Sequence, residues 1–214
     1  MEPSPDRYSE PYVPNLGIGY LFARSWPLFK EHLWVLVGAT AIYIVVASIG
    51  SDPFLDDFGV GSGVLNIVGF AITGPLTAGL YWMMLRVHRS ERPAFGDLFI
   101  GFNEFGRAFG VYALSALATV LGLLLFVVPG IIIGVGLWPS LFLVMDGDRG
   151  VMDTLQEAWA MTSGYRLQLF LIGLVLFVLL LLGVLALVVG IFFTGAFGLL
   201  VVAGAYEELS LGTA

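Results

Sequence analysis

Residues 108–145 read AFGVYALSALATVLGLLLFVVPGIIIGVGLWPSLFLVM, a run that no Asp, Glu, Lys, Arg or His interrupts. As one α-helix it would be about 57 Å long at ~1.5 Å per residue, nearly twice the roughly 30 Å hydrocarbon core of a bilayer. It therefore predicts a hairpin of two membrane-spanning helices. Val128-Pro129-Gly130 is the expected turn, because proline lacks a backbone donor and glycine tolerates unusual dihedrals.

Three more charge-free runs lie on either side, at 33–51, 58–85 and 167–206. The first two suit one crossing each, since a spanning helix needs roughly 17–25 residues. The last is again too long for one helix, and Gly190 or Gly183 is its expected turn. The sequence thus predicts an all-α integral membrane protein with six spans, near 33–50, 62–85, 108–127, 130–145, 167–186 and 189–206. They form one domain over 16–209, between a polar, proline-rich tail at 1–15 and a short tail at 210–214.

Composition agrees. Of 214 residues 58% are hydrophobic and 12% charged, against about 25% charged in a soluble domain. Mean hydropathy is +0.95. The absence of cysteine excludes disulfides, thiolate metal sites and cysteine nucleophiles. A net charge of -7 argues against nucleic acid as a partner, because such binding needs a basic footprint. Residues 1–15 have no apolar core behind a basic start, so no secretory signal is expected there.

Charge also sets the orientation. All nine basic residues fall in 1–32, 86–107 and 146–166. The longest segment on the other side, 51–59, has Asp52, Asp56 and Asp57 and no basic residue. The positive-inside rule places both termini in the cytoplasm, with the protein in the cell inner (plasma) membrane.

The cytoplasmic segments carry a helical period of their own. Phe95, Leu98, Phe99, Phe102, Phe105 and Phe109 share one face of a helix. Ile18, Leu21, Phe22, Trp26, Phe29 and Leu33 repeat the spacing before the first span, and Met152, Leu155 and Trp159 before the fifth. The expected unit is an amphipathic interfacial helix followed by a pair of spanning helices, three times over. Thr73-Gly74-Pro75-Leu76 echoes Thr194-Gly195-Ala196-Phe197. Trp26, Phe95, Phe99, Phe102 and Trp159 are the expected interfacial anchors.

FARSWPLFKEHLW (22–34), GPLTAGLYWMMLRVHRSERPAFGDLFIGF (74–102), VPGIIIGVGLWPSLFLVMD (128–146) and DTLQEAWAMTSGYRLQLF (153–170) together carry a family likeness. In these stretches the chain resembles the superfamily of prokaryotic membrane proteins that includes the YciC-like proteins. The membrane domains fused to some glycerophosphoryl diester phosphodiesterases belong there too. Relatives often have proline where this chain has Ala196. The likeness implies a polytopic membrane fold. It implies no activity, because the fused phosphodiesterases keep their chemistry in a separate soluble domain.

Catalytic, cofactor and metal sites are not expected. His32 and His88 sit apart at two interfaces, and no GxSxG, HExxH or P-loop pattern occurs. Asp146, Asp148 and Glu157 only faintly echo a calcium loop, with Gly150 and Val151 where a ligand and a glycine belong. Within the spans no acid or base stands away from the ends, which speaks against ion-coupled transport. Polar side chains there include Thr40, Ser48, Asn66, Thr73, Ser115, Thr119, Ser140 and Thr194, most of them expected to bond to neighbouring carbonyls.

Broken helices can build solute sites at membrane depth. The candidate pathway or helix-break residues are Asn66, Thr73, Gly74, Pro75, Pro129, Gly130, Trp138, Pro139, Thr194 and Gly195. The leading functional expectation is a non-enzymatic protein that organises its bilayer or an assembly, with the lipid bilayer and a homo-oligomer as partners. The alternative is an uncoupled channel or permease for a neutral or amphiphilic solute.

Overall fold

The computed structural model describes residues 12–49, 62–185 and 189–213, and every regular element within them is helical. α1 (Ile18–Glu31) and α2 (Leu33–Ile49) meet at His32, where the chain bends by 95°. α3 (Ser62–His88) follows, then a 3-10 segment, Phe95–Phe102, and α4 (Phe105–Leu125). α5 (Val127–Leu137) and α6 (Ser140–Asp146) form one interrupted rod. α7 (Val151–Met161) leads into α8 (Arg166–Leu185), and α9 (Val189–Thr213) closes the described chain.

Among the described residues five stretches are long and apolar enough to cross a membrane: Ile67–His88, Phe105–Leu125, Val127–Asp146, Arg166–Leu185 and Gly190–Gly212. The bent pair α1–α2 makes a sixth if counted as one. α2 by itself has 17 residues, the low end of the roughly 17–25 a crossing needs.

α3 is the hub. It packs against α2, the 3-10 segment, α4, α6 and α9. Half of its apolar window is buried, against 17% for α4 and for α8, so those two helices lie at the rim. Leu76, Leu80, Met83 and Met84 of α3 meet Phe142 of α6 and Leu200, Val201 and Tyr206 of α9 in the main core.

The hairpin in 108–145 is present, but its turn is earlier than expected. The chain breaks at Phe126, whose extended backbone (φ -162°, ψ 150°) separates α4 from α5. Pro129 falls in the first turn of α5, where a missing donor costs no hydrogen bond. Gly130 is a contact residue: a Cβ built on Gly122 would lie 2.9 Å from its Cα, so this pair lets the two backbones meet.

Two other expected breaks are corrected. Gly183 lies inside α8 and Gly190 inside α9, so neither forms the turn between the fifth and sixth spans. Gly183 instead makes room for the Thr194 side chain and the Gly190 carbonyl. α3 runs through Gly74-Pro75 without interruption. The interruption expected at Trp138-Pro139 is present, with α6 beginning at Ser140.

The middle amphipathic segment also differs from the expectation. It is a 3-10 helix that ends at Phe102 and turns at Asn103-Glu104, rather than an α-helix through Phe109. Its Leu98 is buried, while Phe95 and Phe99 face outward. α1 buries Leu21, Ser25 and Phe29, and α7 buries Thr154, Ala158 and Met161. Trp26, Met152 and Trp159 stand on the outer sides of these helices.

Candidate functional site

A groove of about 410 Å³ opens between α2, α3, α4 and the α5–α6 rod. Its walls carry Tyr43 of α2, Thr77 and Tyr81 of α3, Tyr112, Ser115 and Thr119 of α4, and Ser140 of α6. Among the described residues no Asp, Glu, Lys, Arg or His lines it. Hydroxyls are therefore its chemistry.

Some of them are already engaged. The Thr77 hydroxyl donates to the Thr73 carbonyl at 2.6 Å and lies 3.2 Å from the Tyr43 hydroxyl. The Thr119 hydroxyl donates to the Ser115 carbonyl at 2.8 Å. Ser115 and Ser140 approach each other at 3.3 Å, linking α4 to α6. Each hydroxyl keeps acceptor lone pairs after such a bond, so the wall can still receive a donor.

Trp138 supplies the opposite capacity. Its ring lines the groove, and its indole Nε1 is buried with no hydrogen-bond partner. A buried N–H left unpaired costs about 1–3 kcal/mol. Trp138 keeps helical dihedrals (φ -58°, ψ -33°), the regular ladder is interrupted at Pro139, which has no N–H to donate, and the Trp138 ring stands between two spaces. Beyond it lies a cavity of about 270 Å³, which shares Tyr81, Gly134 and Trp138 as walls and is closed by Leu169, Ile172 and Val202.

From the groove a stack of rings leads to the charged end of the bundle. Tyr81 lies on Phe142 at 4.3 Å, and Phe142 on Tyr206 at 4.8 Å, both nearly parallel. The Tyr206 hydroxyl donates to Asp146 at 3.0 Å, and Asp146 pairs with Arg89 at 2.7 Å. Groove and charged end are thus in direct van der Waals continuity.

That end is a set of ion pairs. Arg24 bridges Glu207 at 2.7 Å and Glu208 at 2.8 Å. Glu208, buried, also accepts from the Asn15 backbone N–H at 3.1 Å, from the Tyr20 hydroxyl at 3.1 Å and from the Tyr12 hydroxyl. The bond to this carboxylate pushes the Tyr12 hydroxyl up to about 12. Arg86 pairs with Asp97 at 2.5 Å and Glu91 at 2.7 Å. Arg107 donates to the carbonyls of Val144 (2.9 Å) and Gly147, at the C-terminus of α6, and pairs with Asp148 at 2.8 Å.

The calcium-like acids are consumed by these pairs. Asp146 serves Arg89, Asp148 serves Arg107, and Glu157 serves Arg149 at 2.6 Å. Among the described residues no three metal-ligating side chains gather. The His88 ring nitrogen Nε2 lies 2.8 Å from the Leu200 carbonyl, joining α3 to α9.

Of the residues expected to mark a pathway, the structure brings only Trp138 to the groove. Thr73 is spent on the Gly69 carbonyl at 2.7 Å, and Gly74 packs on Tyr112 and the Ala108 carbonyl. The Pro75 carbonyl faces Gly101. Pro139 is buried at the head of α6, while Pro129 and Gly130 belong to the α4–α5 turn. Thr194 bonds the Gly190 carbonyl at 2.9 Å, and Gly195 lies near Thr40. The Asn66 side chain lies outside the described residues. The polar groove residues not anticipated as pathway are Tyr43, Thr77, Tyr81, Tyr112, Ser115, Thr119 and Ser140; the last three were expected only to bond neighbouring carbonyls, and the available signal for the others was a tyrosine within each of three apolar helices.

The anchors divide in a similar way. Trp26, Phe95, Phe99 and Trp159 are exposed, and Phe102 is half-buried. Phe99, Phe102, Phe105 and Phe109 form a ladder of rings 6.0 to 6.4 Å apart down one side of the protein. Trp159 takes the Arg166 guanidinium on its face at 3.7 Å.

No protein family, curated protein or solved structure matches this chain.

Proposed function

We propose that this chain is a multi-pass prokaryotic inner-membrane protein, with both termini in the cytoplasm, that handles a neutral or amphiphilic solute without ion coupling. The observation that carries this reading is an uncharged groove whose walls set the hydroxyls of Tyr43, Thr77, Tyr112, Ser115, Thr119 and Ser140 among apolar side chains, with the Trp138 ring in the wall and its buried indole N–H unpaired among the described residues. A solute's hydroxyls would donate to Tyr43, Ser115 or Ser140, and a carbonyl, ether or hydroxyl oxygen would accept from Trp138 once its ring turns the buried N–H into the groove. Such a site needs no charge, in keeping with a lining free of acids and bases. The protein acts as an uncoupled permease or channel rather than an enzyme.

The threefold unit of amphipathic segment plus helix pair belongs to this proposal. Its support is a shared division of labour: Ser25, Asp97 and Thr154 are buried toward the bundle, while Trp26, Phe99 and Trp159 face out. The stretches at 22–34, 74–102, 128–146 and 153–170 support placing the chain with the YciC-like superfamily.

Proteoliposomes test the function. Glycerol and a short-chain monoacylglycerol should cross faster with the protein than without it, at a rate that a pH gradient does not change. Trp138→Phe, which keeps an aromatic ring of smaller size and removes the donor, should slow the flux. Protein-loaded vesicles as tight as empty ones would overturn the reading.

A second reading, organisation of the bilayer or of a homo-oligomer, rests on the outward aromatic faces of α1, the 3-10 segment and α7. It expects protein-dependent change in vesicle diameter or a stable oligomer in detergent, with no flux.

A further inference from the structure

We infer that the groove beneath α1 is a binding site for an anionic phospholipid of the surrounding bilayer, with an acyl chain in the groove and the phosphate at Lys30. This groove is separate from the one lined by hydroxyls. It measures about 590 Å³, within the range of ligand-sized pockets, and runs between α1, α8 and α9.

Its walls are hydrocarbon. Phe22, Trp26 and Phe29 of α1 face Leu179 of α8 and Phe193 and Phe197 of α9. The Phe197 ring is held edge-on by three others, Phe22 at 5.2 Å, Phe29 at 5.5 Å and Trp26 at 5.6 Å. Thr194 also lines the space, but its hydroxyl is turned to the Gly190 carbonyl of its own helix. A polar occupant would find no partner and would lose its hydration without return. A methylene chain has no hydration to lose and gains van der Waals contact with the ring and aliphatic walls. Because two walls are spanning helices, the chain comes from the bilayer itself.

The charge at the mouth selects the headgroup. Lys30 stands over the Trp26 ring, 5.8 Å from its centre, and Trp26 is the groove's outer wall. Arg24, Arg86, Arg89, Arg107 and Arg149 are each paired with a carboxylate. Lys30 makes no ion pair among the described residues, and the neighbouring Glu31 lies 4.0 Å from His32. Its ammonium is free for a phosphate at the level where α1 bends into α2, and a flexible lysine stem reaches a headgroup while its methylenes stay on apolar surface.

Native mass spectrometry of the full chain in detergent, with phosphatidylglycerol or phosphatidylcholine of identical acyl chains, tests this. One lysine near an anionic lipid favours binding by roughly fivefold. Phosphatidylglycerol should be retained over phosphatidylcholine by about that factor. Lys30→Gln should bring the two lipids to parity, and Lys30→Arg should keep the preference. Ala23→Trp, which fills the groove from α1, should reduce retention of both. Leu179→Trp does the same from α8 and serves if the first variant does not fold. Parity in the parent protein, a preference that survives Lys30→Gln, or fillers without effect would each overturn the assignment.

Discussion

Gly101 of the 3-10 segment rests on Gly79 of α3 so closely that a Cβ built on Gly101 would lie 2.9 Å from the Gly79 amide nitrogen. A Cβ on Gly79 would in turn stand 2.6 Å from the Leu98 carbonyl carbon and 3.0 Å from the Asp97 carbonyl oxygen. The obstacles are backbone atoms, which cannot swing away. Gly79→Ala and Gly101→Ala should therefore each destabilise the protein by about 2–3 kcal/mol, the scale of overpacking a tight interface. Thermal unfolding in detergent measures it, and an unshifted midpoint for both variants would contradict the packing.

Phe99 and Phe102 carry the outer side of the same segment. Replacing both with Asp removes about 2 kcal/mol of apolar burial per ring when lipid covers them. The double variant should lose stability in membranes and partition poorly, while Gly79 and Gly101 still hold the segment to α3. Expression and melting in bilayers equal to the parent would show that lipid does not cover this face.

The difference between a helix and a 3-10 segment here shows what the sequence could reveal. Phe95, Leu98, Phe99 and Phe102 fit an α-helical face, and that amphipathic character is visible in the order of residues alone. What tightens the coil is its seating on Gly79, a contact with Asp97, Leu98 and Gly101, which lie 18 to 22 residues further along the chain. The Trp138-Pro139 interruption was legible, since proline deletes a donor wherever it stands. Pro75 deletes one too, yet α3 continues, because the helix is fixed by neighbours on many sides. The groove was mostly hidden. Tyr43, Tyr81 and Tyr112 are uncharged and do not interrupt the apolar runs, and only the rotation of each helix about its axis decides that they converge. Helices apolar all round leave that rotation to packing.

Arg24 anchors the N-terminal segment to the end of α9. Arg24→Met would leave Glu208, buried and holding three other donors, without its cation. Removing one partner of a fully buried pair costs about 3–5 kcal/mol, and the partly exposed Arg24 head lowers this to roughly 2 kcal/mol. Adding Glu208→Gln should recover part of the loss, because the amide carries no charge to compensate. A double variant less stable than Arg24→Met would assign the effect to packing instead.

Topology is open to a direct test in a chain without cysteine. Cysteine at Ser51 should react with a membrane-impermeant maleimide in intact cells. Cysteine at Ser90, between the basic residues Arg89 and Arg92, should react only after the cells are opened. The opposite pattern would invert the protein in its membrane.

Blocking the hydroxyl-lined groove needs a position where a side chain enters space rather than backbone. Gly74 is a poor choice: its Cβ would lie 3.0 Å from Tyr112 Cβ and 3.3 Å from the Ala108 carbonyl, so a larger residue there pushes α4 away from α3. Gly134 is better placed. It lines both the groove and the cavity behind Trp138, and its Cβ would meet only Thr119, at 3.4 Å from Cγ2. Gly134→Ala should leave stability within about 1 kcal/mol of the parent, since the new methyl makes ordinary contact and alanine favours the helix. Gly134→Leu extends the same branch into the empty volume. It should abolish solute flux in proteoliposomes while the protein still melts close to the parent, whereas Gly74→Leu should lower the melting temperature as well. Undiminished flux through a stably folded Gly134→Leu protein would place the pathway elsewhere.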